Sequence, residues 1–170
     1  MTSETTPLLI REPRLWLAAV LVVYLALALR LVFLLPLWGA VQDEPLHFGY
    51  ARYLAVKGTL PFIERTDASD LRFYYTAPSA GDAAHHPPGF YFTVSLVLRL
   101  FAHASLATQN YVARGTSTLL GLLALLFWFG TLRRLLPRQP AIAVGVTAAV
   151  AVFPQWLMIC ATVHPEVFGA

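Results

Sequence analysis

The strongest constraint in this sequence is an apolar block over residues 15–38 that contains one charged side chain, Arg30. About 20 apolar residues in a helix cross about 30 Å of hydrocarbon, so the block predicts a transmembrane helix. It is longer than a signal-peptide core and lacks a small-residue cleavage site, which predicts an uncleaved anchor. Arg14 precedes it and predicts a cytoplasmic N-terminus. Arg30 either reaches the membrane surface or faces a polar cavity inside the bundle.

The composition agrees with a membrane protein. Apolar residues make up 58% of the chain and charged residues 12%, whereas soluble domains have about 45–50% and about 25%. The net charge of +3 comes from basic residues that flank apolar blocks, which indicates membrane topology and excludes a nucleic-acid partner. Cys160, the one cysteine, lies in an apolar block and has no zinc-type spacing around it. We expect a multi-pass protein of the cell (inner or plasma) membrane, with the lipid bilayer as a partner.

Patterning divides the chain into a cytoplasmic tail (1–14), a first transmembrane helix (15–38), a polar loop (39–87) and a membrane-embedded part (88–170). The loop carries six acidic and four basic side chains, which suits the non-cytoplasmic side. The fold class expected is therefore all-α, an integral membrane helical bundle with a juxtamembrane helix in the loop. Residues 59–84 predict irregular structure with at most one more short helix.

The juxtamembrane helix is predicted from its end signals. Asp43 suits an N-cap, Pro45 suits the first turn, and Lys57-Gly58 is a stop signal. Its apolar side chains have the spacing of an amphipathic helix on the membrane surface, namely Leu46, Tyr50, Tyr53 and Leu54.

Three apolar blocks follow, over residues 87–104, 111–135 and 141–163. If all three cross the membrane, the arginine cluster Arg133, Arg134 and Arg138 lies outside, against the positive-inside rule. We therefore expect the first block to lie in the interface or to re-enter, which leaves three full crossings. The chain stops directly after the last block, so we expect that it is truncated at 170.

Asp43 and Glu44, with His47 one turn later, stand where the first span meets water. Two interpretations are open. In the first, Asp43 caps the helix, Glu44 interacts with its dipole and His47 is solvated. In the second, Asp43 is a general base in a cavity, oriented by Glu44 or His47.

Further polar side chains precede or end the apolar blocks. His85 and His86 stand before a double proline and suit phosphate binding, metal ligation or simple loop termination. Val163-His164-Pro165-Glu166 ends the last block, so Glu166 is either an interfacial residue or the second acid of a cavity. Arg114 either pairs with an acid or faces an anionic ligand. No spacing requires a metal or another cofactor.

In this order, these motifs resemble the N-terminal part of GT-C-type multipass glycosyltransferases, close to the aminoarabinose and protein O-mannosyl transferases and related bacterial membrane families. The resemblance covers about Leu15 to Ala170. Its motifs are an acidic pair after the first span, a following Tyr-Ala and Gly-x-x-Pro, a proline element opening the next block, and an arginine in the block after that. Here they read Asp43-Glu44-Pro45-Leu46-His47, Tyr50-Ala51, Gly58-Thr59-Leu60-Pro61, His86-Pro87-Pro88 and Arg114.

The resemblance implies transfer of a sugar from a polyprenyl-phosphate donor to an acceptor at the outer face of the membrane. Asp43 would be the catalytic base, positioned by Glu44 or His47. His86 and Arg114 would lie near the departing phosphate, and Glu166 would take the second acidic position. The His-Pro-Glu sequence departs from the Asp usual in these families, and such enzymes contain several further helices. The alternative is a non-enzymatic multipass protein, such as a transporter subunit or an envelope-assembly scaffold. The sequence is silent on the oligomeric state.

Overall fold

The computed structural model describes residues 12–37, 43–60 and 86–169. All regular secondary structure in these stretches is α-helical, which confirms the all-α prediction for the described part of the chain. Most of the predicted irregular segment lies outside it, as does His85. The helices are α1 (Pro13–Leu34), α2 (Glu44–Lys57), α3 (Gly89–Leu100), α4 (Leu106–Leu135), α5 (Pro140–Ala151), α6 (Pro154–Ala161) and α7 (Glu166–Gly169).

Helix α1 ends earlier than the apolar block that predicted it. Its last helical residue is Leu34, and Leu35 is extended with φ −70° and ψ 134°. Pro36 explains this end, because a proline disfavours the helical conformation of the residue before it. The last carbonyl groups of α1 are therefore available to partners outside the helix.

The predicted helix in the loop is present as α2. Gly58 ends it at φ 71°, in the left-handed region that favours glycine. The prediction that α2 lies with its apolar side chains on the membrane surface is wrong, however, because these side chains pack against α3 and the protein core. Leu46, Tyr50, Tyr53 and Leu54 are all buried within the protein.

Two helix ends differ from the predicted blocks for local reasons. Helix α4 begins at Leu106, ahead of its apolar block, because the Ser105 hydroxyl caps it by accepting a hydrogen bond from the Thr108 N–H at 3.2 Å. The last block is broken into α5 and α6, which meet at an angle of 61°. Pro154 accounts for the break, because proline cannot continue a helix from the preceding turn.

Within residues 12–37, 43–60 and 86–169, two helices, α1 and α4, are long and apolar enough to cross a membrane, and a third crossing results if the bent pair α5–α6 counts as one span. Their apolar side chains are extensively exposed, as expected for surfaces that face lipid. Helix α3 has 12 residues, about 18 Å of helix and too short to span the hydrocarbon. Arg30 is exposed on α1. These features support a membrane protein.

Helices α1, α4 and α6 approach one another closely at Gly121. A Cβ atom there would overlap the Tyr24 hydroxyl and the Cys160 sulfur, whereas a Cβ at Gly130 meets nothing within 4 Å. Close approach through small residues is typical of helix packing in membranes.

We expect Gly121→Ala to lower the free energy of unfolding by about 1–3 kcal/mol, because the added methyl forces these helices apart. Gly130→Ala is the matched control and should be neutral or slightly stabilising, since alanine favours helix. Unfolding in mixed detergent micelles measures both variants. Equal stability of the two would contradict the contact at Gly121.

Candidate functional site

A buried ion pair joins α2 to α4. The Arg114 Nε donates to Glu44 Oε1 at 2.6 Å, and Nη2 donates to Glu44 Oε2 at 2.7 Å. Both side chains are fully buried. This two-point geometry matches the fork of the guanidinium to the two oxygens of the carboxylate. Of the two roles open to Arg114 from the sequence, the structure shows the pairing with an acid.

Arg114 also caps the C-terminus of α1. Its Nη1 donates to the carbonyls of Val32 and Leu35 at 3.0 and 3.1 Å, and its Nη2 donates to that of Pro36 at 2.9 Å. The five N–H groups of the guanidinium are thereby all used. Glu44 Oε1 accepts a further bond from the Val163 N–H at 3.2 Å. One ion pair thus fixes the end of α1, the start of α2, α4 and the segment after α6.

This ion pair determines where the neighbouring polar residues lie. Asp43 precedes Glu44 and His164 follows Val163, so both are held next to the pair. Glu44 is bonded to Arg114 and Val163, and no hydrogen bond between its carboxylate and Asp43 is present in the described part of the chain. Neither Glu44 nor Arg114 is open to solvent.

Three histidines from separate segments form a cluster beside the ion pair. The ring of His47 lies 5.3 Å from that of His86 and 5.0 Å from that of His164, centroid to centroid, with both partners nearly edge-on. His47 belongs to α2, His86 precedes α3 and His164 follows α6. The fold therefore brings together all three polar constellations found in the sequence. We call this the imidazole cluster.

His47 is the buried member of the imidazole cluster, with 3% of its surface exposed, so the solvated interpretation is wrong. Its Nδ1 forms a hydrogen bond of 2.8 Å with the hydroxyl of Tyr91, which stacks on Tyr50 with ring centroids 3.9 Å apart. Burial, followed by the neighbouring His164 and His86, lowers the pKa of His47 to about 3. His47 is therefore neutral at physiological pH.

Asp43 has the position of an N-cap, but its side chain makes no capping hydrogen bond. The capping interpretation is therefore wrong for the side chain. Asp43 is exposed, and its charge acts to raise the pKa of His164. The carboxylate is therefore accessible to solvent and close to the imidazole cluster.

His164 and Glu166 complete the site. Their Nδ1 and Oε2 atoms lie 3.9 Å apart, and Glu166 is 66% exposed while His164 is 16% exposed. Burial lowers the pKa of His164, while the charges of Glu166, Asp43 and Glu44 oppose this and His86 adds to it. The sequence did not predict His164 as a site residue, although His164 belongs to the His-Pro-Glu sequence from which Glu166 was chosen. Tyr91 ends the constellation around His86 in the sequence but was given no role there, because an aromatic residue in an apolar block carries no signal of function.

Among the described residues, no group of three or more histidine, cysteine or acidic side chains is arranged to hold a metal ion. The site as described offers a carboxylate, imidazole groups and a phenol.

Comparison with known proteins adds no assignment: no family model matches this chain, and no curated protein or solved structure matches it.

Proposed function

We propose that this chain belongs to a membrane glycosyltransferase that takes a sugar from a polyprenyl-phosphate donor and passes it to an acceptor hydroxyl. The observation that carries the proposal is an exposed carboxylate, Asp43, beside the imidazole cluster at one end of a membrane-type helical bundle. A base and hydrogen-bond donors for an anionic leaving group are what this chemistry needs at one place.

Asp43 acts as the base. It removes the proton of the acceptor hydroxyl while that oxygen attacks the anomeric carbon of the sugar. The bond between the anomeric carbon and the phosphate oxygen breaks, and the polyprenyl phosphate leaves with the electron pair. Asp43 suits this role because its carboxylate is exposed and forms no capping bond, so it is free to contact an acceptor. Glu44 positions it by holding the start of α2 to Arg114.

His86 contacts the phosphate of the donor. It is exposed and precedes the N-terminus of α3 at Gly89, where the helix dipole favours an anion. Arg114, expected from the resemblance to share this role, has every N–H bonded to Glu44 or to α1. We therefore assign Arg114 a structural role and leave the contact with phosphate to His86.

The direction of the helices supports an outward-facing site. Arg114 lies beside the site, and Arg133 and Arg134 lie about 30 Å away along α4, at 1.5 Å per residue. Arg14 lies in the first turn of α1, whose other end is held by Arg114. Arg14, Arg133 and Arg134 therefore lie at the end of α1 and α4 that is opposite the site, and the positive-inside rule favours a cytoplasmic position for that end.

A non-enzymatic multipass protein is the second candidate. The observation that favours it is the full use of Glu44 and Arg114 in packing, because the acidic motif then has a structural purpose without any chemistry. Such a protein would have no need of a lipid-phosphate site at His86.

Binding of polyprenyl phosphate separates these candidates. We expect the chain in nanodiscs to bind polyprenyl monophosphate but not the matched polyprenol, as measured by native mass spectrometry. His86→Gln should weaken binding of the phosphate by about tenfold, the usual worth of one charge-assisted hydrogen bond. The control is His103→Gln, which changes an exposed histidine beyond α3. Equal binding of the alcohol and the phosphate, or no loss in the His86 variant, would contradict the proposal.

A further inference from the structure

The buried side chains of Tyr91 and His47 share one hydrogen bond, and either the phenol or the imidazole can be its donor. Their oxygen and Nδ1 atoms are 2.8 Å apart, and Tyr91 is fully buried while His47 is 3% exposed. The phenol either donates to a bare Nδ1 or accepts from an Nδ1–H. The first places the single ring proton of neutral His47 on Nε2, and the second places it on Nδ1.

The surroundings decide between these arrangements. If Nδ1–H donated, the Tyr91 hydroxyl would need another acceptor for its own hydrogen, and His47 Nδ1 is its only hydrogen-bond partner among the described residues. A buried donor without an acceptor costs about 1–3 kcal/mol. Burial also raises the pKa of Tyr91, so the phenol keeps its hydrogen and donates it.

We propose that Tyr91 is a positioning residue that fixes His47 as the neutral Nε2–H tautomer, which makes His47 a hydrogen-bond donor within the imidazole cluster. His47 is then not a proton acceptor for the reaction, because its one lone pair is bonded to Tyr91. The stacking of Tyr50 on Tyr91 holds the phenol in place at a centroid distance of 3.9 Å.

The consequence for the ligand rests on the proposed function. Nε2 forms no hydrogen bond in the described part of the chain and is not among its buried polar atoms without a partner, so its N–H can donate to an acceptor oxygen of a ligand. The oxygens of a lipid phosphate or of a sugar hydroxyl both supply one. His47 and His86, with ring centroids 5.3 Å apart, would then contact the same ligand from two sides.

The tautomer can be measured without any substrate. In the full chain labelled with ¹⁵N-histidine and held in nanodiscs, we expect the His47 ring to show a protonated Nε2 and a bare, hydrogen-bonded Nδ1. The His47→Gln variant assigns the signals. Tyr91→Phe removes the donor and should lower the ratio of Nε2–H to Nδ1–H tautomer by about tenfold. The control, Tyr50→Phe, removes a hydroxyl that does not bond His47 and should leave the ratio unchanged.

A second measurement applies even if Tyr91→Phe does not fold. Placing 3-fluorotyrosine at position 91 makes the phenol a stronger donor, so the Nδ1 signal should move towards that of a protonated nitrogen. A wild-type spectrum with the proton on Nδ1, or no response to either change at Tyr91, would overturn the proposal. The expected spectrum combined with no binding of polyprenyl phosphate would overturn the proposed function alone.

Discussion

Replacing Arg114 with methionine is expected to destabilise the fold by about 3–5 kcal/mol, the usual cost of removing one partner from a buried ion pair. The change leaves the Glu44 carboxylate buried beside a thioether, and the Val163 N–H is then its one remaining hydrogen-bond partner among the described residues. It also leaves the last carbonyls of α1 without their donor. Unfolding in mixed detergent micelles measures the loss.

Two further variants identify the cause of that loss. Arg99→Met removes an exposed arginine whose bond to the Leu54 carbonyl is long, at 3.4 Å, and should change stability by less than about 1 kcal/mol. The double variant Glu44→Leu with Arg114→Met should recover part of the loss, because no unpaired charge remains. If Arg114→Met is as stable as the wild type, the ion pair does not hold these segments together.

Replacing Asp43 with asparagine is expected to reduce sugar transfer by about 10²–10⁴-fold, the contribution of a positioned general base. Asparagine keeps the size of the side chain but cannot take the proton of the acceptor hydroxyl. The Asp43 side chain is exposed and makes no capping bond, so stability and membrane insertion should not change. Initial rates with a radiolabelled sugar donor in proteoliposomes measure the effect.

Two other acids serve as comparisons for Asp43. Glu12→Gln changes an exposed acid at the start of α1, at the opposite end of the bundle, and should keep full activity. Glu166→Gln tests the second acidic position, and an unchanged rate would remove Glu166 from the site. Full activity of Asp43→Asn would exclude Asp43 as the base.

Local signals in the sequence were sufficient for several elements. Pro45 in the first turn and the stop at Lys57-Gly58 predicted the ends of α2 correctly, because each acts within one helical turn. Asp43 marked the start by its position alone, since its side chain makes no capping bond. Ser105 and Pro154 are signals of the same kind, a cap and a helix breaker. Neither signal was recognised, because Pro154 lies inside an apolar block and Ser105 lies directly after one.

Long-range contacts could not be predicted in this way. Glu44 and Arg114 are 70 residues apart, and no local pattern shows that an acid beside a span is buried instead of solvated. The same applies to His47, whose bond to Tyr91 crosses 44 residues. The order of the motifs indicated which segments contribute to the site. Whether an acidic side chain in them is buried in an ion pair or exposed to solvent depends on packing.

The most direct test of the site at one end of a membrane bundle is the accessibility of single cysteines in a Cys160→Ser background, with labelling of intact cells. Cysteines at positions 43, 86 and 166 should react with an impermeant reagent from outside, whereas one at 134 should react only after the membrane is opened. If the cysteine at 134 reacts from outside and the one at 166 does not, the last segment does not return to the site. The three segments would then not share a site at the outer face of the membrane.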